Sequence, residues 1–416
     1  MRVYKFGGAS VKDAAGVRNV AKVLQQQGHE GTLVVVSAMG KTTNAMEKVV
    51  EAYFKDRDSV PAFMGEVVEF HRQIVGELFR QTDHPVHHAL EVLFEEVRGF
   101  LAWNKSPKYA FVYDQVVGYG ELLSTTIVSN YLNLVGVHNQ WMDVRNLIKT
   151  DSGHREAQVN WERTQKEVTQ RVDLSELNIT QGFLGSDDNN FTTTLGREGS
   201  DYTAAILAYC LDAESVTIWK DVPGVLNADP RNFKETLLLD LISYREAIEL
   251  AFYGASVIHP KTLQPLQGKE IPLHVKSFLN PGDKGTTVGR GVGIVPKVPC
   301  FIVKKDLVLL KLSTLDFSFI VEESISELFK LFHQHRLKVD LIQNSAISFS
   351  VCLDNKFNGL QALLQGLQAN FKVVCHEGVS LYTIRHFDED SVRSLQNGKS
   401  VLVEQRGKET VQLVVK

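Results

Sequence analysis

The chain begins MRVYKFGGASVKDAAGVRNVAKVLQQQGHEGTLVVV, and these residues, 1–36, decide the fold class. Residues 2–6 have the composition of a β-strand, and the apolar positions of residues 14–27 recur on one face of a helix. Residues 32–36 are almost continuously apolar, which is typical of a parallel strand covered on both faces. The pattern predicts an α/β fold in which parallel strands are joined by helical crossovers.

The same alternation continues to about residue 290. Residues 44–101 carry helical periodicity without strand character, so helices are predicted to pack beside the sheet. The turn-forming residues 280–287 and those that follow, through Pro299, are predicted to be a linker. Further predicted strands are 137–142, 179–183, 216–219 and 271–275, and further predicted helices are 122–132, 201–211 and 244–253.

A different pattern follows residue 300. Strands at 301–312, 339–342, 347–353 and 373–375, with helices at 322–333 and 357–367, give the βαββαβ order of a ferredoxin-like unit. A shorter version follows, with strands at 381–384, 401–404 and 411–415 and a helix at 388–395, and it lacks a final helix. The predicted domains are therefore residues 1–290, 300–377 and 378–416.

Composition excludes several classes of protein. A chain of 416 residues with 44% hydrophobic residues can bury a large core in two or three domains. Its net charge of -4 supplies no overall positive field, which argues against nucleic-acid binding. The four cysteines lack CxxC spacing and are predicted to be buried free thiols of a reducing cytosol. No apolar stretch approaches about 18 residues, so a soluble cytoplasmic protein that spans no membrane is expected.

The first polar cluster, Lys5-Phe6-Gly7-Gly8-Ala9-Ser10, lies between the first strand and the first helix. Glycines let backbone N–H groups approach an oxyanion closely, and the lysine adds a cation. This combination indicates a phosphate-binding loop. The alternative is an ordinary turn between a strand and a helix, in which glycines are common.

The second cluster, Gly196-Arg197-Glu198-Gly199-Ser200-Asp201, precedes a predicted helix. The planar guanidinium of Arg197 suits a carboxylate, and Asp201 is able to hold a metal ion or position a lysine. Ser200 or Asp201 is alternatively a helix cap, but capping would require neither Arg197 nor the glycines.

A third cluster follows another predicted strand and contains Lys220, Asp221 and then Arg231. Ligands of such sheets bind beyond the carboxyl ends of the strands, so a carboxylate and two cations there suit a nucleotide, although turn chemistry also explains the Asp, Pro and Gly residues. Glu121 lies near a predicted helix start, where it either binds a ligand or complements the helix dipole. His259 is predicted to be structural because no second histidine lies at ligand spacing.

Together these clusters resemble, in order, the motifs of the aspartate kinases in the amino acid kinase family. The family's lysine-phenylalanine-glycine-glycine-threonine-serine motif is present with Ala9 in the threonine place, and its glycine-arginine-glycine-glycine-serine-aspartate motif has Glu198 in place of a glycine. The segments that carry the resemblance are 5–10, 37–38, 43–44, 120–122, 143–145, 196–201, 221–225, 229–231, 253–255 and 258–260.

The resemblance implies an αβα sandwich followed by ACT-type regulatory units, and transfer of the γ-phosphoryl group of ATP to the side chain of L-aspartate. The resemblance also implies that this reaction is the first step towards lysine, threonine and methionine, and that Mg²⁺ bridges the ATP phosphates without a dedicated protein metal site. The implied catalytic residues are Lys5 and Asp201. The implied nucleotide-binding residues are Lys5, Gly7, Gly8, Ser10, Lys220, Asp221 and Arg231. The implied substrate-binding residues are Ser37, Thr43, Glu121, Arg197 and Ser200, with Glu121 pairing with the ammonium group and Arg197 with a carboxylate.

Three further positions depart from the family pattern. Lys220 replaces a threonine, Leu226 a tyrosine and Ser256 a lysine. Loss of the cation at position 256 is expected to weaken charge neutralisation at the transferred phosphoryl group. We hypothesise that Lys220 supplies the missing charge.

The C-terminal part resembles ACT domains, which bind amino-acid effectors and dimerise. Asp340 and Ser345 match positions that contact lysine in lysine-sensitive members, so an effector site and a homodimer are expected. Two other functions stay open: a kinase for another carboxylate or a nucleotide monophosphate, and a catalytically silent amino-acid sensor, the latter because of Ser256 and Glu198.

Overall fold

The computed structural model describes residues 1–255, 258–291, 293–316 and 318–416, so the prediction for Ser256 lies outside the described residues. Contacts between Cα atoms divide the chain into two compact units. The first comprises Met1–Val225, Leu238–Ile248 and Val257–Ile294, and the second comprises Leu226–Leu237, Glu249–Ser256 and Val295–Lys416.

A nine-stranded sheet organises the first unit. Its order is β11-β8-β10-β9-β7-β1-β2-β4-β3, and the recorded pairings are parallel except that of β10 with β9. A separate antiparallel pair is formed by β5 and β6. These strands are β1 (Arg2–Phe6), β2 (Thr32–Val36), β3 (Gln140–Met142), β4 (Asn178–Gln181), β5 (Leu184–Ser186), β6 (Thr192–Thr194), β7 (Ser215–Lys220), β8 (Leu241–Ser243), β9 (Leu273–Ser277), β10 (Thr286–Gly289) and β11 (Ile294–Val295).

Helices cover this sheet, as the continuous apolar run of β2 requires, because all five residues of β2 are buried. Asp13 caps the first helix, and its carboxylate accepts a hydrogen bond from the Gly16 N–H. The helices are α1 (Ala14–Gln27), α2 (Thr42–Lys55), α3 (Val60–Leu78), α4 (Pro85–Trp103), α5 (Tyr109–Val117), α6 (Tyr119–Leu134), α7 (Trp161–Arg171), α8 (Gly199–Cys210), α9 (Tyr244–Tyr253) and α10 (Pro260–Gly268).

An antiparallel six-stranded sheet organises the second unit, in the order β13-β14-β12-β15-β17-β16. One buried apolar cluster contains Leu310, Leu328 and Leu363, which join the strands to two of the helices. The elements are β12 (Cys300–Thr314), α11 (Glu322–Gln334), β13 (Lys338–Asn344), β14 (Ser348–Asp354), α12 (Leu360–Leu367), β15 (Phe371–Arg385), α13 (Glu389–Gln396), β16 (Val401–Arg406) and β17 (Thr410–Val415).

The predicted fold class is confirmed: a mainly parallel α/β sheet is followed by antiparallel α+β structure. Two local predictions are wrong. The predicted linker contains β10, which pairs with β8 and β9, and the predicted strands 373–375 and 381–384 are one strand, β15. The domain boundaries at 290, 300 and 377 stay predictions. Among the described residues, no helix combines the length and apolar character that a membrane span needs.

Candidate active site

A cavity of about 870 Å³ lies in the first unit, beyond the carboxyl ends of β1, β2 and β7. Ligands of open α/β sheets bind at this edge. Thr43, Glu121 and Ser200 lie in the first turns of α2, α6 and α8, where the helix N-termini favour negative charge. The cavity brings together eight residues predicted from the sequence: Lys5, Ser37, Thr43, Glu121, Arg197, Ser200, Asp201 and Lys220.

Two ammonium groups flank one buried carboxylate in this cavity. Lys5 Nζ lies 2.6 Å from Asp201 Oδ1, and Lys220 Nζ lies 3.6 Å from Asp201 Oδ2. Only 4% of the Asp201 side chain is exposed. Burial by itself raises the pKa of the Asp201 carboxyl, but the ammonium groups of Lys5 and Lys220 outweigh burial and lower this pKa below its usual value. The cluster of Lys5, Asp201 and Lys220 therefore carries excess positive charge, which suits an anionic ligand.

The glycines after β1 leave space beside this cluster. A Cβ atom on Gly7 would lie 3.3 Å from Lys5 Nζ, and one on Gly8 would lie 2.8 Å from the Ala38 carbonyl oxygen. Side chains at these positions would therefore crowd the lysine and push apart two loops at the strand ends. This close approach of bare backbone is what a phosphate-binding loop requires.

Glu121 is a buried carboxyl group, and no cation of the described residues lies within ion-pair distance of it. Its Oε1 accepts a long hydrogen bond of 3.4 Å from the Ala38 N–H, and its Oε2 has no hydrogen-bond partner among the described residues. Burial raises the pKa of Glu121 to about 8, an effect that the Ala38 N–H and the charge of Lys5 only partly offset. A ligand ammonium group would supply the missing partner.

Glu198 stands where the resemblance implies glycine. It precedes α8 with φ 54° and ψ 29°, the left-handed conformation that glycine adopts without strain. Its side chain borders the cavity, and its buried Oε2 has no hydrogen-bond partner among the described residues. The substitution therefore places an additional carboxylate and a strained backbone in the site.

Three predicted nucleotide-binding residues are not among those that line the cavity. The Ser10 hydroxyl is buried and donates a hydrogen bond of 3.4 Å to the Trp219 carbonyl oxygen. Asp221 is exposed in the turn after β7. Arg231, in the second unit, is exposed and makes a bidentate pair with Asp229. Their roles in nucleotide binding stay predictions.

One wall of the cavity was not predicted from the sequence, and it is lined by Tyr113, His154, Arg155, Glu156 and Phe183. None of these residues belongs to a glycine-rich or charged motif that indicates ligand binding. The most informative signal was the polar turn around residues 151–156, but a turn of this composition is common on protein surfaces. Its position at the cavity depends on tertiary contacts.

In the second unit, the two predicted effector-binding residues lie in or beside β13. The Asp340 carboxylate pairs with Lys304 at 2.7 Å, and only 5% of the Asp340 side chain is exposed. Ser345 lies in the turn before β14, and its hydroxyl oxygen is 2.6 Å from that of Ser348, the first residue of β14. Their regulatory role stays a prediction.

Other residues singled out from the sequence have structural surroundings. The four cysteines are free thiols, and Cys375 is the partly exposed one. His259 caps α10 because its Nδ1 accepts a hydrogen bond from the Lys261 N–H. In the described part of the chain, no group of three or more His, Cys, Asp or Glu side chains forms a metal-binding cluster.

The chain is similar in sequence to a known protein family and to several of its characterised members. Residues 1–277 match the Amino acid kinase family. The lysine-sensitive aspartokinase 3 of Escherichia coli is 31% identical over 401 residues, which are 92% of this chain and 86% of that protein. An Arabidopsis thaliana bifunctional aspartokinase/homoserine dehydrogenase 2 is 30% identical over 90% of this chain, which spans only 42% of that protein's length.

A solved structure is similar to this chain along its full length. The crystal structure of E. coli aspartokinase III in complex with lysine and aspartate has a TM-score of 0.84 and 29% identity to this chain. The similarity covers 100% of this chain and 96% of that one. The chain therefore belongs to the amino acid kinase family and, within it, to the aspartokinases.

Proposed function

We propose that this chain transfers the γ-phosphoryl group of ATP to the side-chain carboxylate of L-aspartate and produces 4-phospho-L-aspartate. The observation that carries the proposal is the Asp201 carboxylate between the ammonium groups of Lys5 and Lys220, inside a cavity that three helix N-termini border. A related crystal structure, E. coli aspartokinase III with aspartate and ADP, has a TM-score of 0.80 and 29% identity to this chain, which supports the same two substrates here.

Phosphoryl transfer depends chiefly on positioning and charge neutralisation. Lys5 and Lys220 neutralise oxygens of the transferred group, and Asp201 holds both ammonium groups in place. Gly7 and Gly8 present backbone N–H groups beside Lys5. Because the lysines are fixed before the substrates bind, little reorganisation is needed during the reaction.

The acceptor binds through its charged groups. Arg197 pairs with its free carboxylate, Glu121 with its ammonium group, and the hydroxyl groups of Thr43 and Ser200 donate hydrogen bonds. Ser37 borders the same part of the cavity. These contacts orient the side-chain carboxylate of aspartate for attack on the terminal phosphorus atom of ATP.

Ser10, Asp221 and Arg231 are proposed to contact the nucleotide. Mg²⁺ is proposed to be held by the phosphate oxygens of ATP, which it would help to neutralise. This fits the donor set of the chain, because Asp201 is already paired with two lysines and the described residues contain no cluster of metal-binding side chains.

A direct experiment measures hydroxamate formation from aspartate, ATP and hydroxylamine. We expect turnover that requires ATP and Mg²⁺, with aspartate strongly preferred to glutamate and N-acetylglutamate. Preference for another acceptor would identify a kinase for a different carboxylate. Aspartate binding without turnover would contradict the proposal and indicate a silent amino-acid sensor.

We also propose that the second unit binds an amino-acid effector and that the chain forms a homodimer. E. coli aspartokinase III was crystallised in complex with lysine and aspartate, which supports an amino-acid effector here, and Asp340 and Ser345 are the residues that we propose contact it. Inhibition by lysine that Asp340→Ala removes, and a dimer in sedimentation, are the expected results. Lysine-insensitive turnover and a monomeric mass would contradict this part.

A further inference from the structure

Arg155 borders the same cavity as Arg197 and is exposed. Its backbone has φ 72°, which is unusual for a residue with a side chain. Such a conformation costs about 1–3 kcal/mol and persists only where surrounding contacts impose it, often at functional sites. The contacts around Arg155 therefore indicate what holds it there.

A buried carboxylate fixes the backbone of Arg155. The Asp114 side chain is fully buried, and its oxygens accept hydrogen bonds of 3.0 and 3.2 Å from the Arg155 N–H. Asp114 also accepts a hydrogen bond of 2.7 Å from the Thr194 hydroxyl, and its Oδ2 lies 3.0 Å from His154 Nδ1. One carboxylate thus joins the turn that carries Arg155 to the strand before Arg197.

Aromatic rings orient the side chain of Arg155. The guanidinium carbon lies 4.5 Å from the ring centroid of Tyr113 and 5.7 Å from that of Tyr109. The Tyr113 hydroxyl is itself held, because it donates a hydrogen bond of 2.8 Å to Glu47 of α2. Stacking on an aromatic ring leaves the N–H groups of a guanidinium free to bind a carboxylate in its plane.

The Arg155 turn also adjoins the start of the second cluster. A Cβ atom on Gly196 would lie 3.3 Å from the Arg155 carbonyl oxygen, so the two backbones are in close contact just before Arg197. Among the residues that the structure describes, neither Arg155 nor Arg197 has a carboxylate within salt-bridge distance. Two guanidinium groups without an acidic partner thus border one cavity.

We propose that Arg155 is a second binding residue for the free carboxylate of the acceptor, which it shares with Arg197; this inference rests on the proposed function. L-Aspartate carries two carboxylates. One must approach the phosphoryl group near the buried cluster of Lys5, Asp201 and Lys220, so the other is left for the exposed arginines. Two guanidinium groups would select an acceptor whose α-carboxylate is free and charged.

The test measures how tightly the wild-type chain and the Arg155→Gly variant bind aspartate and its α-amide, which lacks this negative charge. Glycine is the appropriate replacement because it adopts φ 72° without strain, so the variant removes the guanidinium and preserves the turn. Arg336→Gly is a matched control, because Arg336 is also exposed, has φ 55° and lies in the second unit.

Calorimetry without nucleotide gives the dissociation constants, and the hydroxamate assay gives kcat and KM. We expect Arg155→Gly to weaken aspartate binding about tenfold, with kcat changed by less than about threefold, and to reduce the discrimination against the α-amide by a similar factor. Arg155→Lys should restore part of the affinity, and Arg336→Gly should match wild type.

Unchanged affinity in Arg155→Gly, or an equal loss for aspartate and its α-amide, would overturn the inference. If the wild-type chain binds aspartate but does not phosphorylate it, the proposed function fails by itself. The binding comparison then still tests the role of Arg155. A wild-type chain that does not bind aspartate would overturn both.

Discussion

Asp201 in the first unit and Asp340 in the second are both buried carboxylates paired with lysine, but their charges balance differently. Asp340 has one lysine, Lys304, at 2.7 Å, so the pair is neutral. Asp201 has two, Lys5 at 2.6 Å and Lys220 at 3.6 Å, and it borders a cavity of about 870 Å³.

The pair of Lys304 and Asp340 is neutral, whereas the cluster of Lys5, Asp201 and Lys220 has a net positive charge. In a neutral buried pair each charge compensates part of the desolvation of the other, so the loss of one partner leaves an uncompensated buried charge. A cluster with a net positive charge suits an anionic ligand, and a nucleotide phosphate is such a ligand. The number of cations around each buried carboxylate therefore predicts whether the removal of one lysine lowers turnover or lowers stability.

The largest effect is expected for Lys220→Ala. Removing this ammonium group leaves Asp201 neutralised by Lys5 alone and the transferred phosphoryl group short of one cation, so kcat should fall about 100-fold with little change in folding. Hydroxamate turnover and urea unfolding measure the two quantities. Near-normal turnover would refute the idea that Lys220 supplies the charge absent at position 256.

Lys304→Ala tests the neutral pair. The substitution leaves the buried Asp340 carboxylate without its cation, so the free energy of unfolding should fall by about 2 kcal/mol while turnover without effectors stays near wild type. Urea unfolding measures the loss, and the double variant with Asp340→Ala should recover part of it. A large loss of turnover at unchanged stability would show that Lys304 acts in catalysis instead of compensating the charge of Asp340.

Glu121 provides the case of a buried carboxyl group that no cation in the described part of the chain contacts. Burial raises its pKa to about 8, against an ordinary value of 4.5, so the folded chain without ligand holds a proton that the unfolded chain releases. The stability from this group is fully present below pH 4.5 and is lost progressively as the pH rises to about 8.

The same protonation predicts how aspartate affinity depends on pH. Pairing of Glu121 with the ligand ammonium group requires its ionised form, so affinity should rise between pH 6 and 8, by up to about tenfold per pH unit, and then level off. Calorimetry at several pH values measures this. Glu121→Gln should remove the dependence, and a flat wild-type profile would show that Glu121 is already ionised.

The smallest effect is expected for Glu198→Gly. Glycine relieves the left-handed conformation and removes the unpartnered carboxylate oxygen, although it also increases the entropy of the unfolded chain, so we expect a gain in stability of at most about 1 kcal/mol. Thermal unfolding measures it. A clear loss of stability would indicate that Glu198 has a favourable contact within the folded chain.

Long regular elements were predictable from the sequence because their signals are local. The helix over residues 14–27 and the strand over 32–36 have the predicted bounds. The strand β10 was missed because four residues within a turn-rich stretch give no periodicity. The continuity of β15 was missed because Glu377 and Gly378 interrupt its apolar pattern, whereas pairing with β12 carries the strand past them.

Part of the active site was predictable for a similar reason. Lys5 and Asp201 belong to glycine-containing clusters at the ends of elements, and such clusters indicate ligand binding. Arg155 was not predictable, because its place at the cavity depends on Asp114, 41 residues earlier, and on the ring of Tyr113. Contacts of this kind leave no pattern in a single sequence.

A crystal structure of the chain with ADP, aspartate and aluminium fluoride, which imitates the transferred phosphoryl group, would show whether Lys5 and Lys220 together neutralise that group. We expect the ammonium groups of Lys5 and Lys220 both to lie within about 3 Å of fluoride atoms while Asp201 still contacts both lysines. A fluoride group bound away from these lysines, or a Lys220 side chain turned out of the cavity, would contradict it.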